Sequence, residues 1–156
     1  MAEQPINVTI NSQSTQGAPF YAPPSKKMKT NRGGIKFYIL TIVTLGIYAV
    51  FFYAGVANDI NLAATKYDGK KTMNFWLLFL LVGPITFGLG YLVWGHKLAA
   101  RIGAEARRRG HSTTFGAGSY WLWNTLGLII IIGPFVYMHK LSACMNAIAQ
   151  DYNEKG

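Results

Sequence analysis

Three long apolar runs set the plan of this chain. They are Phe37–Val56 (FYILTIVTLGIYAVFFYAGV), Phe75–Trp94 (FWLLFLLVGPITFGLGYLVW) and Tyr120–Met138 (YWLWNTLGLIIIIGPFVYM), and none contains Asp, Glu, Lys, Arg or His. A helix needs about 20 mostly apolar residues to cross the hydrocarbon core of a bilayer, and each run meets that length. After each run the pattern narrows to one apolar face. Ala57, Ile60, Ala64 and Tyr67 recur at helical spacing, as do Leu98, Ile102 and Ala106, and then Leu141, Met145, Ile148 and Tyr152. That spacing predicts amphipathic helices lying along the membrane interface, or reaching into water to pack on one another.

The same unit therefore occurs three times: aromatic start, apolar helix, glycine break, aromatic cluster, amphipathic helix. Trp94-Gly95-His96-Lys97-Leu98 matches Tyr137-Met138-His139-Lys140-Leu141, and Asn61-Leu62-Ala63-Ala64 matches Asn146-Ala147-Ile148-Ala149, where the middle copy has Gly103-Ala104-Glu105-Ala106. The predicted fold is all-α. It is a small integral membrane protein of three kinked apolar helices, each followed by an amphipathic helix, in a degenerate threefold repeat. Tyr67-Asp68-Gly69 and Arg109-Gly110 read as helix ends, because glycine takes the left-handed turn that follows a helix.

Helix breaks or close packing are expected at Gly46, at Gly83-Pro84 and at Gly133-Pro134. Proline removes a backbone donor and crowds the carbonyl four residues back, so a kink is expected at Pro84 and Pro134. In lipid the freed carbonyl must find another partner, and Thr44 is placed to back-bond in the first copy. Two topologies compete. Three kinked spans satisfy the positive-inside rule and are preferred; hairpins that turn at the glycine would put every tail on one side.

Charge refines the picture. The 156 residues carry a formal net charge of +9, and the basic residues flank the apolar runs. Residues 1–34 are polar and are predicted to be a disordered, basic N-terminal segment, with 35–156 as the helical membrane domain. Lys26, Lys27, Lys29 and Arg32, and later Arg107, Arg108 and Arg109, are candidate contacts for anionic lipid headgroups or an acidic partner. Charge placed beside membrane segments, rather than on the face of a soluble fold, argues against nucleic acid as a partner.

Little points to chemistry. His96, His139, His111 and Cys144 have no metal-ligand spacing, and the carboxylates Asp59, Asp68, Glu105, Asp151 and Glu154 show no pairing. No phosphate-binding loop, nucleophile elbow or zinc-protease motif occurs, so no enzyme activity, cofactor or metal is expected. Cys144 reads as a small packing residue.

Thr44-Leu45-Gly46-Ile47-Tyr48, followed by an aromatic cluster and Asn58-Asp59-Ile60-Asn61, resembles the T-x-G-I-Y signature of an uncharacterised prokaryotic membrane family, domain of unknown function 4234. Tyr120 to Asn124, Gly133-Pro134-Phe135-Val136-Tyr137, His139-Lys140-Leu141 and Asn146 to Asn153 are similar to the closing part of its members. The resemblance spans roughly residues 33–153, with Gly-Pro-Ile-Thr in the second copy in place of T-x-G-I-Y. It implies a multi-span membrane protein and brings no activity or ligand with it. The expected role is a membrane-anchored scaffold or accessory subunit in the cell membrane, partnered by the bilayer and by a further copy or another membrane protein. The alternative is a small oligomeric channel or transporter.

Overall fold

The computed structural model describes residues 24–156, and among these the chain is all-helical with no strand. Six helices form three pairs. The first pair is α1 (Gly34–Val43) and α2 (Ile47–Asp68). The second is α3 (Phe75–Ile85), whose middle turn widens to π geometry, and α4 (Leu89–Arg108). The third is α5 (117–130), which passes from α through π to 3-10 geometry, and α6 (Gly133–Lys155). In each pair a short apolar helix precedes a long one.

Each pair is a hairpin. Phe37 and Phe52 would lie about 22 Å apart on one continuous helix at 1.5 Å per residue, yet their ring centroids are 4.8 Å apart. Phe75 and Trp94 meet at 5.0 Å, and Tyr120 and Tyr137 at 5.7 Å. The expected kinked spans are therefore not formed. Among the described residues one helix, Ile47–Asp68, is long and apolar enough to cross a membrane by length and composition, and it is the returning arm of a hairpin.

The expected kinks at the prolines are not formed, although Gly83 is closely packed, since a Cβ there would overlap the Tyr91 ring. Gly83 and Pro84 stay within α3, where Gly83 keeps right-handed helical angles. The helix absorbs the missing proline N–H by widening to π geometry over Leu78–Val82, a known response to an interrupted ladder. Pro134 falls in the first turn of α6, where its N–H would have had no helical partner anyway. Gly133 serves close packing instead: a Cβ there would overlap Gly127 and the Trp123 carbonyl.

The second halves of the long helices form the core. Val56, Ala57, Ile60 and Ala64 of α2 are buried, as are Leu98, Ala99, Ile102 and Ala106 of α4, and Leu141, Met145, Ile148 and Tyr152 of α6. These are the faces expected from the spacing, except that Tyr67 is exposed and stacks under the Arg108 guanidinium, 3.4 Å from its ring centre. The tails thus pack against one another rather than lying separately at an interface.

Extended segments lead into the hairpins and are clamped on the long helices. Asn61 on α2 exchanges two hydrogen bonds with the backbone of Thr72 (2.7 and 2.8 Å). Asn146 on α6 does the same with Arg32 (2.8 and 2.9 Å), and Asn153, two turns on, with Met28 (2.7 and 3.0 Å). The backbones of Met28 and Arg32 are thereby held on α6, and Met28 is buried; most of the segment expected to be disordered, residues 1–23, lies outside the described residues. Gly103 on α4 stands where the other helices have asparagine, and a side chain there would overlap the Phe115 carbonyl.

Candidate membrane-facing site

The outward apolar residues concentrate on one part of the molecule. Apart from Tyr67, every exposed large hydrophobic residue among those described falls within 35–51, 76–93 or 121–135. These ranges take in the short arms of the three hairpins, their tips and the first turns of the returning arms. The first two tips are the most open, with Leu45 93% exposed and Phe87 97%; at the third, Ile131 is 74% exposed.

Two of the tips share one design. After α1, the Leu45 N–H donates to the Ile42 carbonyl (3.1 Å) and the Gly46 N–H to the Thr41 carbonyl (2.7 Å). After α3, the Phe87 N–H donates to the Pro84 carbonyl (3.3 Å) and the Gly88 N–H to the Gly83 carbonyl (2.9 Å). This pair of bonds closes the carbonyl end of a helix. Leu45 and Gly46 take φ of 51° and 93°, and Phe87 and Gly88 take 50° and 90°. A threonine then joins the two arms. Thr44 Oγ1 donates to the Leu40 carbonyl (2.7 Å) and accepts the Tyr48 N–H (2.9 Å); Thr86 Oγ1 donates to the Val82 carbonyl (2.7 Å) and accepts the Gly90 N–H (2.9 Å). One hydroxyl thereby serves the end of one helix and the start of the next, where backbone groups otherwise lack partners.

The back-bonding expected of Thr44 is present. Its counterpart Thr86 was missed, although the signal is in the sequence: Thr86-Phe87-Gly88 repeats the T-x-G of Thr44-Leu45-Gly46. The break of the second unit is there, not at Gly83-Pro84. The third tip is built differently, with Ile131 at φ 58° and no threonine.

Aromatic and basic groups mark the base of the hairpins. Trp121 Nε1 donates to His96 Nδ1 (3.0 Å), Lys140 lies 5.6 Å from the centre of the Trp123 ring, and Trp94 Nε1 donates to the Met73 carbonyl (2.9 Å). Lys26, Lys27, Lys29 and Lys36 are exposed.

The arginines expected to meet lipid divide into two groups. Arg32 pairs with Asp59 and its side chain is 7% exposed. Arg109 bridges Glu105 and Asp151, each at 2.7 Å, and is 3% exposed. Both hold the fold together. Arg108 also pairs with Glu105 but keeps an open side, and Arg107 is exposed while donating to the Phe115 carbonyl (3.2 Å). Sequence spacing did not foretell the role of Arg101, which binds Asp68, Asn61, Thr72 and Thr65 and so ties α4 to the preceding segment. Burial works to raise the Asp151 pKa, but hydrogen bonds from Lys155 and Arg109 outweigh it and hold the carboxyl below its ordinary value.

Among the described residues, fold and site together define an all-helical protein with three apolar hairpins on a helical body. Residues 33–104, the first two hairpins, match the family described as Domain of unknown function (DUF4234), and Thr44-Leu45-Gly46-Ile47-Tyr48 lies within the matched stretch. The similarity noted for the closing residues lies beyond that match. No curated protein and no solved structure matches the chain.

Proposed function

We propose that this is a non-enzymatic membrane anchor, with three repeated hairpins seated in one leaflet and the helical tails forming a body that serves as a scaffold or accessory subunit. The observation that carries this reading is the tip design. A large residue in the left-handed region costs about 1–2 kcal/mol, and glycine would avoid that cost. Leu45 and Phe87 nonetheless stand there, with almost no protein covering them. Placing such a side chain in hydrocarbon gains about 1.5–3 kcal/mol, which offsets the strain. In water nothing does. The bonded turn groups also meet the demand that lipid makes on irregular backbone.

Length agrees with one leaflet. Phe37 to Leu45 rises about 12 Å and Phe75 to Phe87 about 18 Å, against a core of about 30 Å. The repeat is supported by register: Asp59, Arg101 and Cys144 stand two positions before Asn61, Gly103 and Asn146, and the buried faces of the three long helices fall at matching positions. The exposed lysines would meet anionic headgroups.

Single cysteines at Lys71, Ser112 and Glu154, and at the tip positions Leu45 and Phe87, test this in a Cys144→Ser background. In sealed vesicles an impermeant thiol reagent should reach the first three from the same side and the tips from neither. Alternating accessibility would mean spans. Labelling of the tips together with extraction in carbonate would mean no insertion, and solute flux through reconstituted vesicles would favour a channel.

A further inference from the structure

The three seams between an incoming segment and its own long helix are not equally filled. In the first, Arg32 from the segment meets Asp59 on α2. In the second, Arg101 on α4 reaches back over residues 65–72 and pairs with Asp68 (2.7 Å). In the third, the matching position on α6 is Cys144, and no ion pair forms among the residues of the seam; the Arg107 guanidinium reaches only the Phe115 carbonyl at its edge (3.2 Å). A cleft of about 490 Å³ lies there instead, between the segment His111 to Phe115 and one face of α6.

The chemistry around this cleft has one sign. Lys140, His139 and His111 line it with the hydroxyl residues Ser112, Thr113 and Thr114, and none of its lining residues is a carboxylate. Arg107 stands close enough to act electrostatically on Cys144. His111 keeps a buried Nε2 without a hydrogen-bond partner. Lys140 sits over Trp123 at the base of the third hairpin, at the level where headgroups would lie.

We infer that this open third seam is a binding site for a phosphate oxyanion, with Lys140 as the charge partner and His111 and the 112–114 hydroxyls as donors. The charge pairing that closes the other two seams within the chain is completed here by a ligand. The inference rests on the proposed repeat. Two sources share the chemistry: an anionic phospholipid headgroup, reached along the third hairpin, and phosphate from solution.

Cys144, the single cysteine, lines the cleft and reports on it. Its thiol reacts slowly, because burial pushes its pKa up to about 11 against the smaller opposing effects of Thr113 and Arg107. Alkylation by N-ethylmaleimide is followed by mass spectrometry in dodecyl maltoside, which contains no phosphate. Phosphatidylglycerol, inorganic phosphate or monogalactosyl diacylglycerol is then added. An occupant slows the reaction by 1 + [L]/Kd, about tenfold at ten times Kd. Slowing by phosphatidylglycerol alone supports a headgroup site, and slowing by inorganic phosphate as well supports an oxyanion site fed from solution. In either case Lys140→Gln and His111→Gln should each abolish the effect, and Lys71→Gln should not. The inference is overturned by equal rates in every arm, by equal slowing with the galactolipid, or by protection that survives both cleft substitutions. Helical circular dichroism of each variant identifies misfolding, and phosphorus NMR line broadening on the unmodified chain gives an independent reading. Vesicle flotation separates the two hypotheses: a chain that floats but is not protected loses only this one.

Discussion

Thr86→Val replaces a hydroxyl by a methyl of similar size, so its effect isolates the hydrogen bonds at the second tip. Thr86 Oγ1 donates to the Val82 carbonyl at 2.7 Å and accepts the Gly90 N–H at 2.9 Å. The carbonyl keeps a partner after substitution, because the Thr86 N–H also donates to it at 2.9 Å. It loses a second bond, about 0.5–1.5 kcal/mol. The Gly90 N–H loses the acceptor at the start of α4, and in an apolar setting that adds about 1–3 kcal/mol. The expected loss is thus about 2–4 kcal/mol for Thr86→Val and similar for Thr44→Val. The two sites share no partner, so the double variant should lose close to the sum. Equilibrium unfolding in mild detergent, followed by tryptophan fluorescence, measures this. Thr86→Ser keeps the oxygen and should recover most of the loss. A loss for Thr86→Val below about 0.5 kcal/mol, or a Thr86→Ser variant as unstable as the valine one, would refute the account of the tip.

Other consequences are open to the same kinds of assay. Gly103→Ala places a Cβ against the Phe115 backbone and should destabilise by about 1–3 kcal/mol or more, whereas Gly55→Ala, with open space around it, should be neutral or slightly stabilising; parallel melts compare them. Asn146→Ala removes both bonds to Arg32, so trypsin should cut after Lys29 and Arg32 faster than in the parent chain. Asp151 has a depressed pKa when folded, so its stabilising effect is complete above the ordinary 3.8 and fades as pH falls through the lower folded value. Asp151→Asn should flatten that part of the acid-unfolding curve; an unchanged profile would show that the carboxylate does not contribute. Arg109→Met leaves Glu105 paired with Arg108 and Asp151 with Lys155, so in the same unfolding assay it should cost less than the ~3–5 kcal/mol of a buried charge left unpaired.

Periodicity alone determined much of this protein. Three uncharged runs followed by apolar stripes at helical spacing required six stretches of helix and named the core, because burying a stripe such as Leu141, Met145 and Ile148 is the main gain open to an amphipathic helix. Thr44-Leu45-Gly46-Ile47-Tyr48 marked a break and pointed to the family. The sequence did not determine whether the break bends the chain or reverses it. A glycine permits either, and the choice rests on contacts between distant residues, Phe37 with Phe52 and Phe75 with Trp94, whose rings meet only if the chain turns back. Proline misled for a related reason: Pro84 has no N–H, but a turn of π helix absorbs the loss, while Thr86-Phe87-Gly88 supplies bonded partners for a reversal. The charged residues depended most on tertiary structure. Arg32, Arg101 and Arg109 have the same composition and similar flanks as Arg107, but a long side chain's partner is set by which helix packs beside it. That packing put Asp59, Asp68 and Asp151 within reach of the first three and left the seam at Cys144 open.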